Sequence, residues 1–263
     1  MAILTTRYYS KCLEGFVPFI AVIPFENFGE DFMHPNPNPY MVQQPLKTLY
    51  LLHGVTGDEK EWLYGTRIER YAIEHKIAVI MPDGNNNFYV DNCPTDRWGE
   101  FIGKELVEVT RNLFPLSHKR EDTYIGGLSM GGYGAIRNGL KYNDTFSKIV
   151  ALSSAIITYE VPDATEDAIM PWQRKSHYER IFGPVEQLTG SDMDPEQLYL
   201  DCKNPVSIFM AIGEDDFLLE HNRRYKSFLE GQKADLIYYE EPGAHEWDFW
   251  DRNILKGLNW LLK

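Results

Sequence analysis

Ser129 is set among glycines in residues 123–135, TYIGGLSMGGYGA. Glycine loses more conformational entropy on ordering than any other residue. Such a cluster is kept where a Cβ would collide or where the backbone must bend sharply. Gly127-Leu128-Ser129-Met130-Gly131 has the G-x-S-x-G spacing, follows an apolar run and precedes a helical pattern. In that setting a strained strand-to-helix turn lifts the serine hydroxyl above the sheet edge. A hydroxyl is a poor nucleophile until an oriented base takes its proton, and the base needs an acid to hold its ring. The chemistry such a set performs is acyl transfer through a covalent serine ester. A glycine-rich packing turn with an idle serine is the plainer alternative.

The partners should follow in the order Ser, acid, His. Of the seven histidines, His177, His221 and His245 come after Ser129. His245 stands in EEPGAHEWDFW, a glycine-containing loop beyond the apolar run LIYYE. His221 falls in a charged helix and His177 in a long acidic insertion, so His245 is taken as the base. The acid should end the preceding strand, where SIFMAIG runs into Glu214-Asp215-Asp216-Phe217. A Gly-x-x-Asp spacing selects Asp216 over Asp215. Adjacent acids could instead mark a metal site or a solvated loop, but no further ligands accompany them.

Charge developing on the ester oxygen calls for two backbone N–H donors, each worth roughly 3–4 kcal/mol in the transition state. One is expected from Met130, the residue after the serine. The other is expected from the loop after an early strand, TLYLLHGVTGDEKEW, where the Val55 N–H is in place and Gly54 lets a substrate approach closely. His53 precedes the serine and falls outside the order of partners. Its expected task is to hold this loop.

These residues need a scaffold. Short runs rich in β-branched and aromatic residues predict strands over 16–24, 48–53, 77–82, 123–127, 148–154, 207–213 and 236–240. Most are apolar throughout, as strands covered on both faces are, which predicts a mostly parallel sheet between helices. Helices are expected over about 58–75, 99–113, 131–142, 220–232 and 251–263. The alternation describes one α/β domain over residues 1–263 with right-handed βαβ units. HPNPNPYMVQQP at 34–45 reads as a loop. Residues 155–198, acidic and mixing aromatics with prolines, break the alternation and are expected to form a cap-like insertion over a pocket.

A formal net charge of −13 over 263 residues argues against nucleic acid and anionic membrane surfaces as partners. No run of about 18 apolar residues predicts a transmembrane helix. The N-terminal residues lack a basic start, an unbroken apolar stretch and a cleavage site, which predicts a cytoplasmic protein. Cys12, Cys93 and Cys202 are too few and too scattered for a disulfide framework or a CxxC metal site. No metal or cofactor motif is present.

LLHGVTGDEKEW, GGLSMGGYGA, GEDDFL and PGAHEWDFW together resemble the esterase D/tributyrin-esterase family of α/β-hydrolases, in register across most of the chain. That family includes short-chain carboxylesterases, feruloyl and acetylxylan esterases and S-formylglutathione hydrolases. The resemblance implies an α/β-hydrolase fold with Ser129 as nucleophile, Asp216 as acid, His245 as base, and the backbone of Val55 and Met130 as oxyanion donors. It implies no cofactor, a small-molecule or oligosaccharide ester as substrate, and a homodimer or homotetramer. Formylglutathione hydrolases carry a cysteine where this chain has Gly57, and SMGGHG where it has SMGGYG with Tyr133. Esters of the short-chain acyl, acetyl or feruloyl type therefore rank above formylglutathione. An acyltransferase on the same residues and a non-catalytic binding module remain alternatives. PDGNNNFYVDNCPTDRWGEFIGKEL follows a strand, so its Asn and aromatic side chains are expected along the cleft. There Trp98 either stacks on an aromatic acyl group or sugar, or packs the start of the next helix.

Overall fold

The structure, a computed structural model, describes residues 1–25, 42 and 44–263. The loop expected at 34–45 lies largely outside them. Buried, largely apolar runs form the middle of one sheet: β3 (Thr48–Leu52), β4 (Ala78–Pro82), β5 (Thr123–Leu128), β6 (Lys148–Leu152) and β7 (Ser207–Gly213), the last two half-buried at their first residue. They pair in parallel, and the half-buried β8 (Leu236–Glu241) adds to β7 at one edge. At the other edge stand β1 (Ala2–Ser10) and β2 (Gly15–Ile23), an antiparallel hairpin that joins β4 through β2. The order is β1-β2-β4-β3-β5-β6-β7-β8. β1 was not expected from its sequence. It alternates half-buried and exposed residues, as a strand with one solvated face does.

Period-two alternation sends neighbouring side chains to opposite layers. Tyr50 and Leu52 join one core, with Ile80, Ile125, Tyr133 and Ile149. Leu49 and Leu51 join the other, with Trp62, Val79, Phe249 and Leu258. The second layer is covered by α1 (Glu61–Gly65), α2 (Ile68–Glu74) and the C-terminal helix α9 (Trp247–Leu261). The single helix expected over 58–75 is broken at Thr66, whose backbone is extended. Tertiary bonds take over there, since the Arg67 N–H and guanidinium both donate to the Asp251 carboxylate of α9.

The first layer holds a helix over 98–113 that starts as α3 (Trp98–Glu100), passes through a π-helical turn (Phe101–Glu105) and ends as α4 (Leu106–Leu113). α5 (Met130–Lys141) packs beside it, directly after β5. Residues 155–198 fold into short 3₁₀ turns, α6 (Lys175–Phe182) and the start of α7 (Pro195–Asp201). α8 (Leu219–Gly231) links β7 to β8. The base of the 155–198 segment is tied to α5, where the Tyr133 hydroxyl donates to Met193 O and Arg137 reaches Asp192. The sheet order, the parallel centre and the helices on both faces make this an α/β-hydrolase fold, as expected.

Candidate active site

β5 and α5 are joined by Ser129 at φ 53° and ψ −119°. For a residue with a Cβ this is a strained conformation, costing of order 1–3 kcal/mol. The surroundings impose it. Ser129 N donates to Leu152 O at 2.9 Å, and its carbonyl accepts from Tyr133 N at 3.1 Å and Ala155 N at 2.9 Å. The flanking glycines are required by close approach: a Cβ on Gly127 would run into the Gly131 carbonyl, and one on Gly131 into Leu52 O. The glycine cluster therefore exists to pass β5, α5 and the end of β3 within contact of each other around this serine.

His245 comes from the loop between β8 and α9. Its Nδ1 lies 2.9 Å from Asp216 Oδ2 and its Nε2 3.0 Å from Ser129 Oγ. Asp216, 4% exposed, ends the β7 turn and also accepts the Leu218 N–H at 2.8 Å on Oδ1. Asp215 and Glu214 point to solvent, while their N–H groups bond Gly243 O and Glu241 O and so bind the two loops together. Burial alone would raise the Asp216 carboxyl. The His245 hydrogen bond and charge, the Leu218 N–H and the Ser153 hydroxyl outweigh it and hold the group below the ordinary carboxylate range. Phe217 and Trp250 flank the imidazole, with ring centroids at 4.5 and 4.9 Å. His221 instead meets Glu160, and His177 belongs to α6.

Met130 is the first residue of α5, where an N–H has no acceptor within the helix. Val55 and Gly54 lie on the cavity wall beside Ser129, and a Cβ on Gly54 would press on Leu128. His53 is buried and does hold this loop. Its Nε2 accepts the Gly84 N–H at 2.8 Å, which leaves the proton on Nδ1 to donate to Gly54 O at 2.7 Å. Tyr89 adds a bond from its hydroxyl to His53 O, and Asn86 Oδ1 accepts the Thr56 N–H. Asn86 thus acts on the loop behind the cleft, while Phe88 supplies the aromatic side chain expected on its wall.

Ser129 and His245 open into a cavity of about 350 Å³. Aromatic side chains are prominent in its walls, with Phe88, Trp172, Tyr178, Phe217, Trp247 and Trp250, and Thr56, Glu61 and Gln173 are polar members. Trp98 is not among them. It is 8% exposed, edge-on to Phe101 at the start of its helix, so packing and not stacking on a ligand is its place. Two of the three tryptophans that do line the site had a signal in the sequence. Trp247 and Trp250 lie two and five residues after His245, on the first turn of the helix it introduces.

A serine raised on a strand–helix junction and bonded to a loop histidine, at the carboxyl ends of parallel strands, defines the chain as an α/β-hydrolase. The family model described as "Putative esterase" matches residues 31–261, and the chain belongs to that family of carboxylic ester hydrolases. An acetyl esterase of Caldicellulosiruptor saccharolyticus is 41% identical over 268 residues, covering 100% of this chain and 99% of its own. Among solved structures, a substrate-bound fluorophosphonate-binding serine hydrolase of Staphylococcus aureus superposes with a TM-score of 0.85 at 29% identity. That match covers 100% of this chain and 98% of the other. An S-formylglutathione hydrolase of the same organism superposes with a TM-score of 0.82 at 28% identity, over 100% and 99% of the two chains.

Proposed function

We propose that this esterase hydrolyses short-chain acyl esters, acetyl esters of hydroxyl-rich alcohols such as plant sugars foremost, through an acyl-enzyme on Ser129. The observation that carries the reading is the bonded chain Ser129 Oγ–His245 Nε2 and His245 Nδ1–Asp216 Oδ2, open to the aromatic cavity. Asp216 keeps the His245 proton on Nδ1, so Nε2 presents a lone pair to the serine hydroxyl. Ser129 Oγ attacks the ester carbonyl while Nε2 takes its proton. Negative charge collects on the former carbonyl oxygen, opposite the N–H groups of Val55 and Met130. The C–O bond to the alcohol then breaks, the alkoxide takes the proton from Nε2, and the alcohol leaves. Water repeats the sequence on the acyl-serine, giving a carboxylic acid and free Ser129.

About 350 Å³ is at the small end of ligand cavities, which suits a short acyl chain. The acetyl esterase relative points the same way. Residues 155–198 act as a cap in this reading, because they supply Trp172, Gln173 and Tyr178 to the wall. Phe217 at 72% and Trp172 at 43% exposure stand at the mouth, ready to stack on a sugar face or a hydroxycinnamoyl group. The S-formylglutathione hydrolase relative favours a second reading, in which a thioester takes the same path.

Initial rates on p-nitrophenyl butyrate, methyl ferulate, acetylated xylo-oligosaccharide and S-formylglutathione separate these, with Ser129→Ala as control. The acetylated sugar is expected to give the highest kcat/KM, and the control to lose on the order of 10⁶ in rate. A highest value on S-formylglutathione would favour the thioester reading. A Ser129→Ala variant keeping a tenth of the activity would end both.

A further inference from the structure

Besides the ring of His245 and the Tyr178 phenol, one carboxylate lies on the cavity wall among the described residues, and the proposed reaction leaves it without a task. Glu61 opens α1, half-buried, with its carboxylate in the space beside Gly57. A Cβ on Gly57 would collide with Glu61 Oε2 and crowd His53 Nδ1. The glycine at this position is thus what admits the carboxylate to the site. Among the described residues, no side chain and no backbone N–H donates a hydrogen bond to it. The nearby imidazole proton is already given to Gly54 O. Lys60 is engaged by its other neighbours, at 2.7 Å from Glu59 and 3.3 Å from Asp58. No lysine or arginine is found among the described lining residues, so no cation in the wall offsets Glu61. Burial pushes its carboxyl above the ordinary range, opposed by the nearby His53 imidazole and reinforced by Asp58.

A partly desolvated carboxylate with open acceptor positions is stabilised by any ligand donor that reaches it, because an unmade bond to such a group is costly. It equally repels an anion brought into the same space. We propose that Glu61 is a specificity-determining residue. It accepts a hydrogen bond from a hydroxyl on the alcohol part of a neutral ester, and it excludes esters and thioesters whose leaving group carries a carboxylate. This rests on the reaction proposed at Ser129 and names the substrate class it selects. Charge repulsion across a cavity of this size, at a dielectric between protein and water, corresponds to roughly 5- to 15-fold in kcat/KM.

The test compares 3-carbamoylphenyl acetate with 3-carboxyphenyl acetate, neutral and anionic esters of nearly equal shape, at low and high salt. Wild type should prefer the neutral ester, and the preference should shrink as salt rises. Glu61→Gln should raise kcat/KM on the anionic ester relative to the neutral one roughly 5- to 15-fold, chiefly through KM, and should abolish the salt dependence of that ratio. Glu61→Ala should raise KM for acetylated xylo-oligosaccharide about five-fold or more with kcat nearly kept. A salt-independent preference in the unaltered protein overturns the proposal without any variant, as does an unchanged ratio in Glu61→Gln. Ser129→Ala run alongside keeps the two readings apart. If it stays active, the reaction at Ser129 is wrong. If it is inactive while Glu61→Gln leaves the ratio unmoved, only the role of Glu61 falls.

Discussion

Asp216→Asn tests the logic of the site more sharply than removal of the serine, because the outcome depends on which way one amide turns. In the native protein both carboxylate oxygens accept: Oδ1 from Leu218 N at 2.8 Å and Oδ2 from His245 at 2.9 Å. An asparagine has one acceptor and one donor end. The Leu218 N–H is fixed by the backbone and cannot reverse, so the amide oxygen must face it and the NH₂ must face His245. Nδ1 then has to accept, which moves the imidazole proton to Nε2. That N–H would lie 3.0 Å from Ser129 Oγ, where a lone pair is needed. The wrong tautomer in a serine hydrolase of this arrangement costs about 10⁴ in kcat, or about 5.4 kcal/mol of barrier. The assay is kcat and KM on p-nitrophenyl acetate, with thermal unfolding to show that the variant folds. We expect kcat to fall by 10³–10⁴ with KM within about three-fold, and Asp215→Asn, at an exposed position, to behave as wild type. A folded Asp216→Asn variant that loses less than ten-fold would mean that the amide has turned the other way or that the acid does not matter.

Other parts of the structure make their own predictions. Arg137 is fully buried and holds Asp192 Oδ2 at 2.9 Å and Asp91 Oδ2 at 3.2 Å, with Lys141 on the same acids. Arg137→Met should cost about 3 kcal/mol, the low end for breaking a buried pair because Lys141 remains. Calorimetry should show Tm lowered by roughly 6–12 °C, and a shift under 2 °C would contradict this. Acid should also destabilise the fold. For Asp91, burial opposes ionisation, but the Arg137 charge, the Glu100 N–H and Lys141 hold the carboxyl below its ordinary value, and Asp216 is held low as described. Groups lowered by folding add stability above their ordinary pKa of 3.8 and lose it as pH falls through the lowered values. Urea midpoints should therefore be lost mainly below about pH 4, and less steeply in Asp91→Asn. A midpoint that rose on acidification would contradict the assignment.

That Ser129, Asp216 and His245 would meet was legible because each is bound to a local pattern. Ser129 needs glycines that two backbones press on, and Asp216 and His245 follow strands whose apolar runs end abruptly. The choice of Asp216 over Asp215 was legible from spacing, and the structure gives its cause: the turn sends Asp215 to solvent and Asp216 inward. The walls of the cavity were not legible in the same way. Trp98 follows a strand and looked placed for a ligand, yet its helix turns it into the core against Phe101. Trp172 arrives from a segment with no periodicity to read, and Trp247 and Trp250 are displayed only because α9 starts earlier than its apolar spacing implied. The break at Thr66 and the hairpin strand β1 were missed for different reasons. The first is set by distant chain, Asp251, while β1 pairs with its hairpin neighbour β2 and alternates instead of forming the continuous apolar run by which the buried strands were read. Gly57 was noticed as a departure from a pattern, but only the structure shows that Glu61 occupies the space it leaves.

We place the nucleophile at Ser129, activated by His245 and Asp216. The most direct measurement is intact-protein mass spectrometry after brief exposure to a fluorophosphonate probe, followed by peptide mapping. One phosphonyl adduct per chain is expected on Ser129, none in Ser129→Ala, and labelling slowed by orders of magnitude in Asp216→Asn. An adduct on another residue, or equal labelling of wild type and Ser129→Ala, would contradict this assignment.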